Sequence, residues 1–291
     1  MPNVDMTGVC DLHVHSAPCL FERLGDDIEL AENMESAGYA AVVFKSHHES
    51  TVGRAAIATK RLTSIKVFGG LVLNRYVGGI NPAAAESALY MGAKVIWMPS
   101  MHTRRHAEFH GTTSGYGFIQ GTTMKTPVEP IYILDESGVL TEDAKAVARL
   151  VGEYDAILAT AHLSKKEAFA LAHARKELGL RKLLITHPHF EFLAYTDDEL
   201  VELAETGAIL ELCSGTVQTI PGYTRVHTVA ATIKKVGARR CIVSSDSGSP
   251  RKPYTPETTR AYLYSLGILG VPDEDLRYMS AEHPPVLLGL R

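Results

Sequence analysis

Eight short apolar runs alternate with helical stretches along this 291-residue chain, and that alternation constrains the fold more than any other feature. The runs lie at about 9–15, 39–44, 66–73, 94–98, 156–160, 182–186, 208–212 and 241–244. They have strand length rather than helix length. The stretches between them open on helix-starting signals. Asp26 with Glu29, Ser164 with Glu167, and Thr196 with Glu199 read as capping boxes, and Asn81-Pro82 sets an N-cap before a proline at the first helical position. Gly38, Gly92 and Gly207 stand where three of these helices should stop. Strands alternating with helices imply a parallel sheet. Eight such units imply closure, so the predicted fold is α/β, a (β/α)8 TIM barrel, with a distorted seven-stranded barrel as the alternative.

No linker or shift in composition divides residues 1–291, and a single domain is expected. The one interruption is a segment at about 101–137. It carries Gly111, Gly115, Gly117, Gly121, Pro127 and Pro130, and reads as an irregular, lid-like insertion. No glycine-rich phosphate-binding fingerprint follows any strand, which argues against an open nucleotide-binding sheet. A net charge of −4 supplies no basic excess for nucleic acid. There is no apolar run long enough to span a membrane and no leader pattern at Met1-Pro2-Asn3, and Cys10, Cys19, Cys213 and Cys241 are widely spaced. A cytoplasmic protein with reduced thiols is expected, acting on a small molecule as a homo-oligomer.

Thirteen histidines is a high number, and most fall where an apolar run ends. In a barrel of this kind the C-terminal strand ends form the active-site mouth. The first run ends in Asp11-Leu12-His13-Val14-His15-Ser16, and alternation puts His13 and His15 on one face. Later runs end in Lys45 and His47, in Ser100 and His102, in His162, in His187 and in Asp246. Nitrogen and oxygen ligands converging from separate strands make a metal site. The expected cofactor is a divalent transition metal, Zn first, with Mn, Fe or Ni as alternatives, one or two ions per chain.

The set His13, His15, His162, His187 and Asp246 resembles the amidohydrolase superfamily of metal-dependent hydrolases, which carries His-x-His on the first strand, one histidine each on the fifth and sixth, and an aspartate on the eighth. The closing stretch Glu282-His283-Pro284-Pro285-Val286-Leu287-Leu288-Gly289-Leu290 is similar to the last segment of many members. The resemblance implies that Asp246 is both ligand and proton carrier. Binuclear members often bridge their ions with a carboxylated lysine or a glutamate from the third or fourth strand. Here Asn74 and Ser100 stand at those places, and Lys45 is the lysine on offer. Lys45 is read either as that bridge, as a partner of Asp11 or Asp246, or as a contact for a substrate carboxylate.

The remaining candidates are assigned by place. His47 and His102 are read as substrate contacts, His47 and His48 also as possible extra ligands, and Arg104 and Arg105 as either a surface pair or a clamp for an anionic group. His106 and His110 are read as substrate contacts or solvated, His189 as a support for the ligands or the lid, and Cys213 as a packed thiol. His173, His227 and His283 are read as structural. The functional expectation is hydrolysis of a small amide, cyclic imide or lactam, or ester or lactone. Two alternatives stand beside it. One is a phosphoesterase similar to the polymerase-and-histidinol-phosphatase family. The other is a metal-binding barrel without catalysis.

Overall fold

The computed structural model describes residues 4–113, 115, 116, 126, 128–217 and 225–291. Nine strands run through them: β1 (Cys10–His15), β2 (Ala41–Lys45), β3 (Lys66–Phe68), β4 (Gly70–Val72), β5 (Val95–Trp97), β6 (Ile157–Ala159), β7 (Lys182–Thr186), β8 (Ile209–Cys213) and β9 (Cys241–Ser244). The helices are α1 (Asp27–Ser36), α2 (Val52–Ala58), α3 (Pro82–Tyr90), α4 (Arg104–His110), α5 (Glu142–Glu153), α6 (Lys165–Ala174), α7 (Asp197–Glu205), α8 (Val226–Val236), α9 (Thr255–Ile268), α10 (Asp273–Arg277) and α11 (His283–Leu287). None of the described helices is long and apolar enough to cross a membrane. The three capping boxes form as expected, at Asp26, Ser164 and Thr196.

Every strand pairs in parallel with its neighbours in sequence, as β1-β2-β3 and as β4-β5-β6-β7-β8-β9. β3 and β4 are two halves of one stave, parted at Gly69. The break has a local cause: a Cβ at Gly69 would run into the Thr51 carbonyl, and one at Gly70 into the Val95 carbonyl. Thr51 spans this seam. Its hydroxyl donates to the Phe44 carbonyl at 2.7 Å and accepts the Gly70 N–H at 2.9 Å. On the opposite side β1 meets β9, where the His15 N–H donates to the Ser247 carbonyl and the Asp246 N–H to the His13 carbonyl, each at 2.9 Å. Asp11 strengthens this second seam, its carboxylate accepting the backbone N–H of both Ser245 and His13. The ring of eight staves is therefore a (β/α)8 barrel.

Two buried clusters follow from strand alternation. Ala41 and Val43, Val95 and Trp97, and Ile157 and Ala159 fill the barrel, while Val42, Phe44, Ile96 and Leu158 pack outward under the helices. β1 departs from simple alternation. Cys10 and Leu12 belong to the inner cluster but Val14 to the outer one. The register explains it: three residues separate Asp11 from Val14 while their partners Val42 and Phe44 are two apart. This one-residue bulge resets the phase and turns His13 and His15 inward.

The segment at 101–137 is not wholly irregular. Thr103 caps α4, which occupies its first part, accepting the His106 N–H. Gly117, Gly121 and Pro127 lie outside the described residues.

Candidate metal centre

His13 stands at the centre of the barrel mouth and is fully buried. Its Nε2 lies 3.1 Å from Asp246 Oδ1 and 3.0 Å from Lys45 Nζ. The same Asp246 oxygen is 3.3 Å from His15 Nε2. The rings continue outward in contact: His13 to His187 at 5.8 Å between centroids, His187 to His162 at 5.0 Å, and His15 stacked on His47 at 4.7 Å. The strand ends thus bring His13, His15, Lys45, His162, His187 and Asp246 together. His187 and Asp246 have φ of +33° and +50°, and Ala161, just before His162, has +47°. Non-glycine residues rarely adopt this left-handed backbone, and it costs strain at three of the strand ends that present these side chains.

The donor set suits a cation. His13, His15 and Asp246 each offer one ligand atom, all within 4.8 Å of one another. Burial holds the imidazoles of His15, His162 and His187 well below their ordinary range, so they are neutral bases. Burial alone would raise the Asp246 carboxyl, but His13 and His15 outweigh it and hold it well below the carboxylate range. His15 Nδ1 and His187 Nδ1 are buried with no hydrogen-bond partner. Burial depresses the Lys45 amine, against the pull of Asp246 and Glu211, and its Nζ lies 5.3 Å over the Trp97 ring. Asp11 is occupied by the β1–β9 seam, so it is not the lysine's partner.

Glu211 and Cys213 complete the inner wall. Both belong to β8, which alternates Leu210 and Leu212 outward with Glu211 and Cys213 inward. Glu211 is fully buried and, among the described residues, neither of its oxygens has a hydrogen-bond donor. His13 Nδ1 lies 3.4 Å from Glu211 Oε2 and 3.9 Å from Cys213 Sγ. Sequence reasoning passed over Glu211. The signal was there, a glutamate between two leucines in an apolar strand. His106 was underrated too. It is fully buried on α4, its Nδ1 2.9 Å from His162 Nδ1 and its ring stacked on His162 at 5.0 Å.

The other expected contacts separate. His47 lines the mouth, its Nδ1 2.9 Å from Ser100 Oγ and its Nε2 3.3 Å from the Tyr116 hydroxyl. Asn74 fixes this corner by donating to the His47 carbonyl and to Ser100 Oγ. His102 lies apart from the ligand rings, its Nδ1 accepting the Arg75 N–H at 2.8 Å and its ring against Tyr76. Arg104 and Arg105 were read either as a surface pair or as an anion clamp, and the two differ in surroundings. Arg104 is 59% exposed and bonded to Glu108 and the Tyr132 hydroxyl. Arg105 donates to the Phe192 carbonyl. Helix α4 turns its buried residue, His106, toward His162 and leaves Arg104 exposed. His189 bonds Thr232 on α8, a structural position.

Comparison with known proteins adds the following. A family model described as "Family of unknown function (DUF6282)" matches residues 8–211. No curated protein matches the chain. Among solved structures, one titled 2,6-dihydroxybenzoate decarboxylase from Rhizobium is 12% identical, with a TM-score of 0.58 over 98% of this chain and 99% of that one. Organophosphorus hydrolase from Deinococcus radiodurans is 13% identical, with a TM-score of 0.62 over 98% and 93%. A putative 2-pyrone-4,6-dicarboxylic acid hydrolase from Pseudomonas putida is 12% identical, with a TM-score of 0.61 over 99% of both chains. The resemblance to the amidohydrolase superfamily thus holds in fold across nearly the whole chain.

Proposed function

The chain belongs to the DUF6282 family, and we propose that it is a metal-dependent hydrolase that cleaves a small amide, cyclic imide or lactam, or ester or lactone. The observation that carries this reading is the single Asp246 oxygen set against both His13 Nε2 and His15 Nε2, at 3.1 and 3.3 Å. In this reading His13, His15 and Asp246 hold a divalent cation, with His162, His187 and Lys45 as further ligands. Zn is the first expectation and Mn, Fe or Ni the alternatives, one or two ions per chain. Such an ion supplies Lewis acidity, polarising an acyl oxygen and easing deprotonation of water.

The protein residues do the rest. Asp246 is ionised and its side chain is 15% exposed, whereas the His13 ring is fully enclosed. Its free oxygen is thereby placed to accept a proton from the attacking water. That proton passes to the leaving nitrogen or oxygen as the acyl C–N or C–O bond breaks and the water oxygen bonds to the acyl carbon. Glu211 sets its carboxylate 3.4 Å from His13 Nδ1, where it would favour that ring as a ligand through its charge. His106 holds the Nδ1 side of His162. His47, stacked on His15, forms a wall of the substrate pocket. The substrate is a small molecule, and a cytoplasmic homo-oligomer remains the expected form.

Metal analysis of protein purified without chelator, followed by a turnover screen on esters, lactones, amides, phosphomonoesters and aromatic acids, tests this reading. Stoichiometric metal with metal-dependent cleavage of an acyl bond supports it. Turnover of phosphomonoesters alone would instead favour the phosphoesterase alternative. Loss of carbon dioxide from an acid would make it a decarboxylase, and metal without turnover would leave a non-catalytic barrel.

A further inference from the structure

The mouth carries two basic side chains that form no salt bridge among the described residues. Arg23 lies in the loop after β1 and Lys252 in the loop after β9, both half-buried. Neither makes an ion pair among the described residues, and the residues outside that set include no aspartate or glutamate. The two loops are tied together, because the Leu24 N–H donates to the Gly248 carbonyl at 2.9 Å. Gly248, at φ +108°, must be glycine there, since a Cβ would run into the His15 carbonyl.

Each cation is held by one contact that leaves donors over. Arg23 Nε donates to Cys19 Sγ at 3.2 Å, and the guanidinium carbon lies 5.7 Å from the Phe21 ring centre. The terminal nitrogens of its fork carry four further N–H groups. Lys252 Nζ donates to the Gly215 carbonyl at 2.9 Å and keeps two more N–H groups. Both border the centre. Phe21 is 6.0 Å from the His47 ring, and a Cβ on Gly215 would touch Asp246. Burial pushes the Lys252 amine down, and the nearby Asp246 carboxylate works against that.

A half-buried cation without a partner is a site waiting for an anion. Beside Arg23 the wall is Phe21, His47 and Tyr116, three flat rings. We propose that Arg23 and Lys252 form an anion anchor beside the metal centre, and that its substrate bears a carboxylate, on a small unsaturated ring, in addition to the bond that is cut. This rests on the hydrolase reading only for the word substrate. A monoanion matches the anchor better than a phosphate dianion, which would set more negative charge near Asp246 and Glu211.

Calorimetric titration of the metal-loaded full chain with benzoate, benzamide and phenyl phosphate tests the anchor without requiring turnover. Wild-type protein should bind benzoate at least about tenfold more tightly than benzamide, the scale of one charge-assisted contact. In the Arg23→Gln/Lys252→Gln double variant, with metal content unchanged, that gap should fall to about twofold or less. The charge-keeping pair Arg23→Lys and Lys252→Arg should retain most of it, which separates charge from folding. The proposal is overturned if benzoate does not bind, if the gap survives in the double variant, or if phenyl phosphate binds more tightly than benzoate. A chain that shows the gap but turns over nothing would keep the anchor and lose the hydrolase.

Discussion

The two ends of the barrel treat their polar groups in opposite ways. At the end where the strands begin, charges are solvated and partnered. Glu35 accepts the backbone N–H groups of Thr63, Ser64 and Ile65. Asp155 pairs with Arg181 and Lys182, and Arg175 donates to the carbonyls of Thr206 and Leu180. At the end where the strands finish, the polar groups are buried and several lack partners: His15 Nδ1, His187 Nδ1, His102 Nε2 and both oxygens of Glu211. Each such orphan costs roughly 1–3 kcal/mol; left-handed backbone occurs at both ends, at Asp155 as well as at Ala161, His187 and Asp246. One end is arranged for stability. The other carries costs that folding alone does not explain, and a bound ligand would offset them.

The sharpest way to break this contrast is at Asp246. Asp246→Asn keeps the shape and a carbonyl oxygen but loses the basic one. Turnover should fall by about two to four powers of ten, while metal content by elemental analysis stays near the wild-type value. A variant with nearly full kcat would reduce Asp246 to a loop residue. Next comes Glu211→Gln, which should weaken metal affinity by about 10- to 100-fold in a competition assay with a chromogenic chelator. Glu211→Asp, which restores the charge, should recover part of it. Unchanged affinity would mean that Glu211 serves packing alone.

The smaller effects belong to the outer surface and the opposite end. Glu35→Gln should lower the melting temperature at neutral pH, and the difference from wild type should shrink as the solution is acidified. Backbone N–H groups of Ser64 and Ile65 hold this carboxyl at about 2, against an ordinary 4.5. Its contribution is full above the ordinary value and is lost as pH falls through about 2. A pH-independent difference would remove that account. Smallest of all, Arg104→Ala should leave kcat and KM unchanged and shift stability by no more than about 0.5 kcal/mol, because its partners, Glu108 and Tyr132, are exposed. A raised KM would return it to the pocket.

Much of this was written locally in the chain. The capping boxes at Asp26, Ser164 and Thr196 and the apolar runs between them specify strands and helices by contacts within a few residues. That is why the barrel and the strand-end places of His13, His15, Lys45, His162, His187 and Asp246 are legible in the sequence. Residues beyond the strands were not legible in the same way. With the segment after Met98 read as irregular, no period was available to sort His102, Arg104, Arg105 and His106. Once α4 forms, its 3.6-residue period turns His106 to His162 and leaves Arg104 on the exposed side.

Other facts needed the closed barrel. The bulge in β1 is a matter of register against β2, which no single strand encodes. Glu211 meets His13 across about two hundred residues of chain, and Arg23 comes to share a rim with Lys252 only when the loops after β1 and β9 join at Leu24 and Gly248. The sequence by itself determined which residue types stand at the strand ends, because strand period and helix caps are local. The tertiary structure alone decided which of them touch and which charges are left unpaired, because those depend on ring closure between distant parts of the chain.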